Sequence, residues 1–234
     1  CASTLQTAGG LNVMMRFAEK LLRKHPKHIT LLAPITTWSL TVMCGTGHVV
    51  YTMFPIIYDI AIKTGIRPER PMAVASISSQ IGICASPVSV AVVSMVAIMA
   101  KAKGLDHPVS LIELLAVGMP ATFCGMLMAA LWSMRRGLDL DKDPEFQAKI
   151  KDPVQRDYIY GESATLLDKV FPKEAYWATW IFFAAIGVVV LLGAFPDLRP
   201  LVGEAAKAKP LSMNLLIQVM MLTAGAAILV LCKV

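Results

Sequence analysis

Long apolar runs separated by short basic turns fill this chain, and their spacing predicts helix almost throughout. Residues 11–23 (LNVMMRFAEKLLR) place Leu11, Met14, Met15, Ala18 and Leu22 on one helical face and Asn12, Arg16, Glu19 and Arg23 on the other. Gly9 and Gly10 mark where a preceding span ends, and the helix stops at Arg23-Lys24-His25-Pro26-Lys27. Two apolar arms follow, 29–44 and 49–62, parted by Gly45-Thr46-Gly47. Each arm gives on the order of 22 Å of helix against a hydrocarbon core of ~30 Å, so neither crosses a bilayer alone. Basic residues stand at both outer ends, with Lys63, Arg67 and Arg70 answering Arg23 to Lys27. That symmetry favours a re-entrant hairpin over 29–62, entering from the cytoplasm and returning to it, over one straight span through both arms.

Residues 72–100 are long enough to cross but break at Ala85-Ser86-Pro87, with Ser86 as N-cap, Pro87 in the first helical position and a new half-helix from near Val88. A short loop over 101–108 leads to a span at 109–132, bending at Gly118 and Pro120 and closed by Arg135 and Arg136. The mixed-charge stretch 137–175 is too polar to insert and reads as a cytoplasmic loop with helical pieces around 144–151 and 163–169. Spans at 176–195 and 211–232 complete the chain, with Tyr176, Trp177 and Trp180 placed for an interfacial aromatic belt. The expected fold is an all-α integral membrane protein. Its segments are 1–136 (hairpin, broken helix and span), the loop 137–175, and 176–234 with two further spans.

Composition agrees: 56% of the 234 residues are hydrophobic and 16% charged, against roughly 25% charged in a soluble domain. The net charge of +6 lies in turns between apolar runs, which suits membrane topology and not nucleic acid. The chain starts at Cys1 without an initiator Met or signal-peptide pattern and stops at Val234 after an apolar run, so it is expected to be a piece with spans on both sides. Cys1, Cys44, Cys84, Cys124 and Cys232 stand singly, as do His25, His28, His48 and His107. They read as buried thiols and scattered imidazoles, with no metal site and no cofactor.

Irregular backbone inside a bilayer survives only where it lines a cavity, and two neighbouring breaks are the pattern of a secondary transporter's binding centre. Half-helices that start at the breaks turn N–H groups and a positive dipole end inward, a setting for carboxylate. Thr46, Ser86 and Ser89 add hydroxyl donors, Gly45 and Gly47 allow close approach, and Pro87 fixes the second break. Ser76, Ser79 and Gln80 form a polar stripe that serves equally as helix–helix glue. Arg23, paired with Glu19 at i+4, and Arg67 flank the hairpin's mouth and could draw in a dianion. Asp59, in the second arm, is read as a partner of Lys63 at i+4. The apolar segments hold no paired carboxylates or nucleophile–base pair, which argues against an enzyme.

The runs GGLNVMMRFAEKLLRKHPKH, CGTGHVVYTMFPIIYDIAIK (after Met43, where the family has Leu), IRPERPMAVAS and ASPVSVAVVS resemble the anaerobic C4-dicarboxylate transporter (Dcu) family, most of all its DcuB-type members. The resemblance continues through GLDLDKDPEFQ, YGESATLLDK and LRP…KPLSM. It implies an inner-membrane carrier of fumarate, succinate, malate and aspartate in anaerobic bacteria, exchanging external fumarate for internal succinate by alternating access. It further implies the ion-transporter superfamily architecture, an inverted repeat with re-entrant hairpins and discontinuous helices. In that picture Gly45-Thr46-Gly47 forms a hairpin tip and Ser86-Pro87 a helix break, and Glu19, Arg23 and Arg67 match charged family positions. The implied partners are the dicarboxylate and the lipid bilayer, with a homo-oligomer or a membrane sensor kinase left open. Another ion-coupled anion carrier, for citrate or arsenite, and an accessory protein of a sensor kinase are the competing readings.

Overall fold

Glycines that accept left-handed backbone punctuate the first third of the chain. In a computed structural model, described over residues 2–99, 109–161, 165–195, 198–202 and 209–232, α1 (Ala2–Thr7) meets α2 (Gly10–Lys24) at Gly9, φ 78°. A single 3-10 turn, Pro26–His28, leads into α3 (Ile29–Cys44). There Gly45 (φ 72°) ends the helix, its N–H donating to Thr41 O at 2.8 Å. The chain returns as α4 (Val49–Lys63). Both arms fall where the apolar pattern puts them and pack against each other, while the far part of α4 meets the end of α2, where Arg23 Nη2 donates to Asp59 Oδ2 at 2.9 Å. The arms therefore form a helical hairpin with its tip at Gly45–Gly47.

α5 (Glu69–Gly82) runs back alongside the hairpin and tightens into the 3-10 turn Ile83–Ala85. The chain is extended at Ser86 (φ −93°, ψ 126°) and resumes as α6 (Val90–Met99). The interruption is where the sequence puts it, but the new helix starts later than Val88. The cap is Ser89, whose Oγ accepts from Val92 N at 3.2 Å, while Ser86 Oγ accepts from Val88 N at 3.3 Å and only closes the turn. α7 (Leu111–Met134) opens on a capping box: Ser110 Oγ accepts from Glu113 N and Glu113 Oε2 from Ser110 N. Ser110→Ala is expected to remove about 1 kcal/mol of stability, read as a lowered thermal midpoint with unchanged helix content.

Between α7 and the final helices lie α8 (Pro144–Lys149) and α9 (Pro153–Tyr160), capped by Asp143 and Asp152. α8 answers an expected helical piece and α9 is additional. Of the other expected piece, 163–164 lie outside the described residues and 165–169 are non-helical. α10 (Lys173–Ala194) and α11 (Met213–Leu231) pack side by side, joined through the ladder β1 (Leu201–Val202) and β2 (Lys209–Pro210). The loop expected at 101–108, and Cys1 and His107, lie outside the described residues.

Among the described residues three stretches are long and apolar enough to cross a membrane: Glu69–Met99, which contains the interruption, Leu111–Met134 and Lys173–Ala194; Leu215–Leu231 is apolar but shorter. Leu22, Ile29, Ala33, Met53, Ile57 and Phe182 are closed from solvent between α2, α3, α4 and α10. α3, α5 and α7 pack through small contacts: Thr37 Oγ1 donates to Ala75 O at 3.3 Å, and Trp38 Nε1 to Thr122 Oγ1 at 3.3 Å, with Trp38 edge-on to Phe123. Large apolar side chains such as Val90, Val117, Met128, Trp132 and Trp180 point outward, a surface suited to lipid. Cys84 and Cys124 share that outer surface, so only Cys44 and Cys232 of the described thiols are buried as expected.

Candidate functional site

The two interruptions touch. A Cβ built on Gly45 would lie 3.0 Å from Val88 Cγ2 and 3.2 Å from the Val88 carbonyl carbon and oxygen. One on Gly47 would lie 3.1 Å from Gln80 Nε2 and 3.2 Å from Ser79 O. The hairpin tip is thus wedged between the end of α5 and the segment leading into α6, so that a side chain at either glycine would press on its neighbours. Gly45 carries the further demand of left-handed backbone. Gly45, Thr46, Gly47, Ser86, Pro87 and Ser89, all singled out in sequence, gather here. α4 and α6 both begin beside the contact; some of their first N–H groups are met by the residues just before each helix, Val50 N donating to Gly47 O at 3.4 Å, Tyr51 N to His48 O at 3.2 Å and Val92 N to Ser89 Oγ at 3.2 Å.

The hydroxyls at this junction are oriented by the backbone. Thr46 Oγ1 accepts from His48 N (3.4 Å), Ser86 Oγ from Val88 N and Ser89 Oγ from Val92 N. Each leaves its O–H hydrogen without an acceptor among the described residues. Ser86 and Ser89 are buried and Thr46 is half-buried. One turn before the tip, Thr41 Oγ1 is fully buried and has no hydrogen-bond partner among the described residues, a state that costs about 1–3 kcal/mol. Sequence reasoning passed over Thr41, although its i−4 spacing from Gly45 places it under the tip. Gln80, left ambiguous in sequence, is exposed and flanks Gly47.

Glu19, Arg23 and Arg67 are elsewhere. α4 and α5 are 15 and 14 residues long, so about 20 Å of helix stand between the tip and the far ends where these charges sit. A small ligand cannot span that distance. Arg23 Nε donates to Glu19 Oε1 at 2.7 Å and its Nη2 to Asp59 Oδ2, while Lys63 Nζ meets Asp59 Oδ1 at 2.6 Å. The second Glu19 oxygen accepts from the main-chain N–H of Leu166 at 2.7 Å. Glu19, expected on a polar helix face, is completely buried, because its charge is met by Arg23 and by that distant main chain. Asp59 does pair with Lys63, and it binds Arg23 as well. Burial works against the charge on Arg23, but its hydrogen bonds to Glu19 and Asp59 and their negative charge outweigh it and hold the guanidinium above its ordinary pKa.

Arg67 does not join this cluster. Its Nε donates to Glu69 Oε2 at 2.6 Å and its Nη1 to Asp143 Oδ2 at 3.3 Å. The hydrogen bond to Glu69, with added attraction from Asp143 and Glu145, raises its pKa. Arg70 beside it donates to Arg136 O, to Gly137 O and to Asp139 Oδ1. Together they clamp the α4–α5 turn to the chain that follows α7, where Leu140 N also donates to Gly65 O. Sequence alone paired Arg23 with Arg67 as two sides of one mouth; in the fold each is held by its own carboxylates.

Comparison with known proteins bears on this geometry. The family described as anaerobic C4-dicarboxylate membrane transporter matches the chain over residues 1–234. The chain is similar to the anaerobic C4-dicarboxylate transporter DcuB of Escherichia coli, 55% identical over 232 residues, 99% of this chain and 51% of the relative. It is also similar to the C4-dicarboxylate transporter DcuA of Wolinella succinogenes, 41% identical over 150 residues, 63% of this chain and 33% of the relative. DcuA of Escherichia coli is 33% identical over 233 residues, 99% of this chain and 51% of the relative. The chain spans about half the length of these curated relatives in the full-coverage matches. No solved structure matches it.

Proposed function

This chain belongs to the anaerobic C4-dicarboxylate membrane transporter family, and from that premise we propose that it forms the dicarboxylate-gripping half of a secondary transporter exchanging fumarate for succinate by alternating access, with malate and aspartate as further substrates. The observation that carries this reading is the contact of Gly45 with the Val88 main chain, which joins two helix starts and three locally anchored hydroxyls at one point. One carboxylate would take the N-terminal N–H groups of α4 with Thr46, and the other the start of α6 with Ser86 and Ser89. Helix starts and hydroxyl donors of this kind favour carboxylate without a covalent step. Thr41 is a reserve donor beneath the tip.

In this reading the hairpin of α3 and α4 is re-entrant, and 137–175 lies on the cytoplasmic side with the ends of α2 and α4. The buried ion cluster shapes the hairpin's base and does not touch the substrate. A sensor kinase, if one binds, would meet exposed Val154 and Tyr158 on α9.

Counterflow of labelled fumarate against succinate, with the full-length protein in liposomes, tests the assignment. Thr46→Ala, Ser86→Ala and Ser89→Ala are each expected to raise the apparent KM about tenfold, the worth of one hydrogen bond to a charged group. Unchanged kinetics in all three would overturn the site. Absence of any fumarate or succinate exchange by the unaltered protein would overturn the substrate class.

A further inference from the structure

α2 presents a second apolar surface that the core leaves open. Its buried side faces inward with Val13, Met15 and Leu22, while Phe17 and Leu21 stay 67% and 45% exposed. They border a groove of about 360 Å³ that runs from Met14 on α2 past Met43 on α3 to Phe183 on α10. That volume lies within the range of ligand-binding pockets. The groove's polar side chains are already engaged: Thr36 Oγ1 donates to Leu32 O at 2.6 Å and Ser39 Oγ to Ile35 O at 2.8 Å. Both hydroxyls are turned back into α3, so what remains along the groove is hydrocarbon.

Cations stand beside it. Lys20 and Lys24 are exposed on α2 at helical spacing from Phe17 and Leu21, and exposed Lys27 follows in the next turn of chain. Among the described residues none of these three lysines meets a carboxylate. The one acidic residue of α2, Glu19, is buried against Arg23. An acyl-sized apolar slot next to unneutralised lysines, on an amphipathic helix of a membrane protein, has the chemistry of a phospholipid site.

We propose that this groove binds one acyl chain of an anionic phospholipid whose phosphate rests on Lys20, Lys24 and Lys27. The lipid would lie against the first arm of the hairpin and hold α2 at the membrane surface. This site is separate from the tip and requires only that the chain belong to a membrane transporter.

Native mass spectrometry of the delipidated full-length protein, titrated with phosphatidylglycerol and with phosphatidylcholine of the same acyl chains, provides the test. A phosphatidylglycerol adduct is expected to persist at collision energies that strip phosphatidylcholine, with at least a fivefold preference. Lys20→Gln/Lys24→Gln/Lys27→Gln should abolish the preference and leave weak binding of both lipids. Phe17→Ser/Leu21→Ser should lower retention of both. Equal retention of the two lipids by the unaltered protein, or an unchanged preference in the triple lysine variant, would overturn the proposal. So would a Leu21→Cys variant that forms a disulfide-linked or crosslinked contact with another part of the protein or a second copy while no lipid is retained, since the groove would then hold protein.

Discussion

Arg23→Ala is expected to destabilise the protein by about 3 kcal/mol, the effect of stranding buried carboxylates without their cation, and to abolish fumarate counterflow. The side chains of Glu19 and Asp59 are 0% and 4% exposed. With Arg23 and Lys63 in place the four formal charges cancel; with Arg23 gone a net negative charge is left at the base of the hairpin. Arg23→Lys should recover only part of the loss, because an ammonium lacks the planar fork that reaches two carboxylates at once. The distinguishing result lies in the double variant: Asp59→Asn in the Arg23→Ala background should restore thermal stability and a share of counterflow. A guanidinium that bound substrate directly would not be replaced by neutralising Asp59, and failure of that rescue would move Arg23 from the hairpin's base into the substrate's coordination.

Gly45→Val is expected to lower counterflow by two orders of magnitude or more while leaving total helix content unchanged. The left-handed conformation alone costs a non-glycine residue roughly 1–2 kcal/mol, more for a β-branched one. The Cβ at 3.2 Å from the Val88 carbonyl group meets main chain that cannot rotate away. The tip would have to lift from the break and pull its hydroxyls apart. Gly47→Ala should be milder, because one close neighbour there is the movable end of Gln80, though Ser79 O is main chain. Gly125→Ala is the matching control: no atom lies within 4 Å of a Cβ at that site, and activity should hold. Wild-type counterflow in Gly45→Val would dissociate the tip-to-break contact from transport.

The hairpin was legible because its punctuation is local. Gly45 ends α3 through its own backbone, and the 3.6-residue pattern of each arm needs nothing from the rest of the chain. The break after α5 was legible for the same reason, yet its exact restart was not. Ser86-Pro87 carries the usual signature of a helix start, but Ser86 spends its hydroxyl on the turn at Val88 and hands the cap to Ser89. The candidate site was half readable. Thr46, Ser86 and Ser89 announce themselves as polar residues at breaks in apolar runs. The misplacement of Glu19 was unavoidable by periodicity, since its second partner, Leu166, is 147 positions away. Likewise the i, i+4 rule finds Lys63 for Asp59 but has no means of finding Arg23, which arrives from another helix.

The joint between α2 and the chain ahead of α10 is made with main-chain atoms on one side. Glu19 accepts from the amide of Leu166, and Arg16 Nη2 donates to the carbonyl of Leu167 at 2.9 Å. Those two bonds ask only that residue 166 keep its N–H, which every residue but proline has; side chains add to them, with Leu166 packed on the core and the Arg16 guanidinium over the Phe171 ring at 5.9 Å. The connecting segment can therefore change at positions whose side chains make no contact and still dock on α2 in the same register, so long as an apolar residue at 166 and an aromatic ring at 171 are kept.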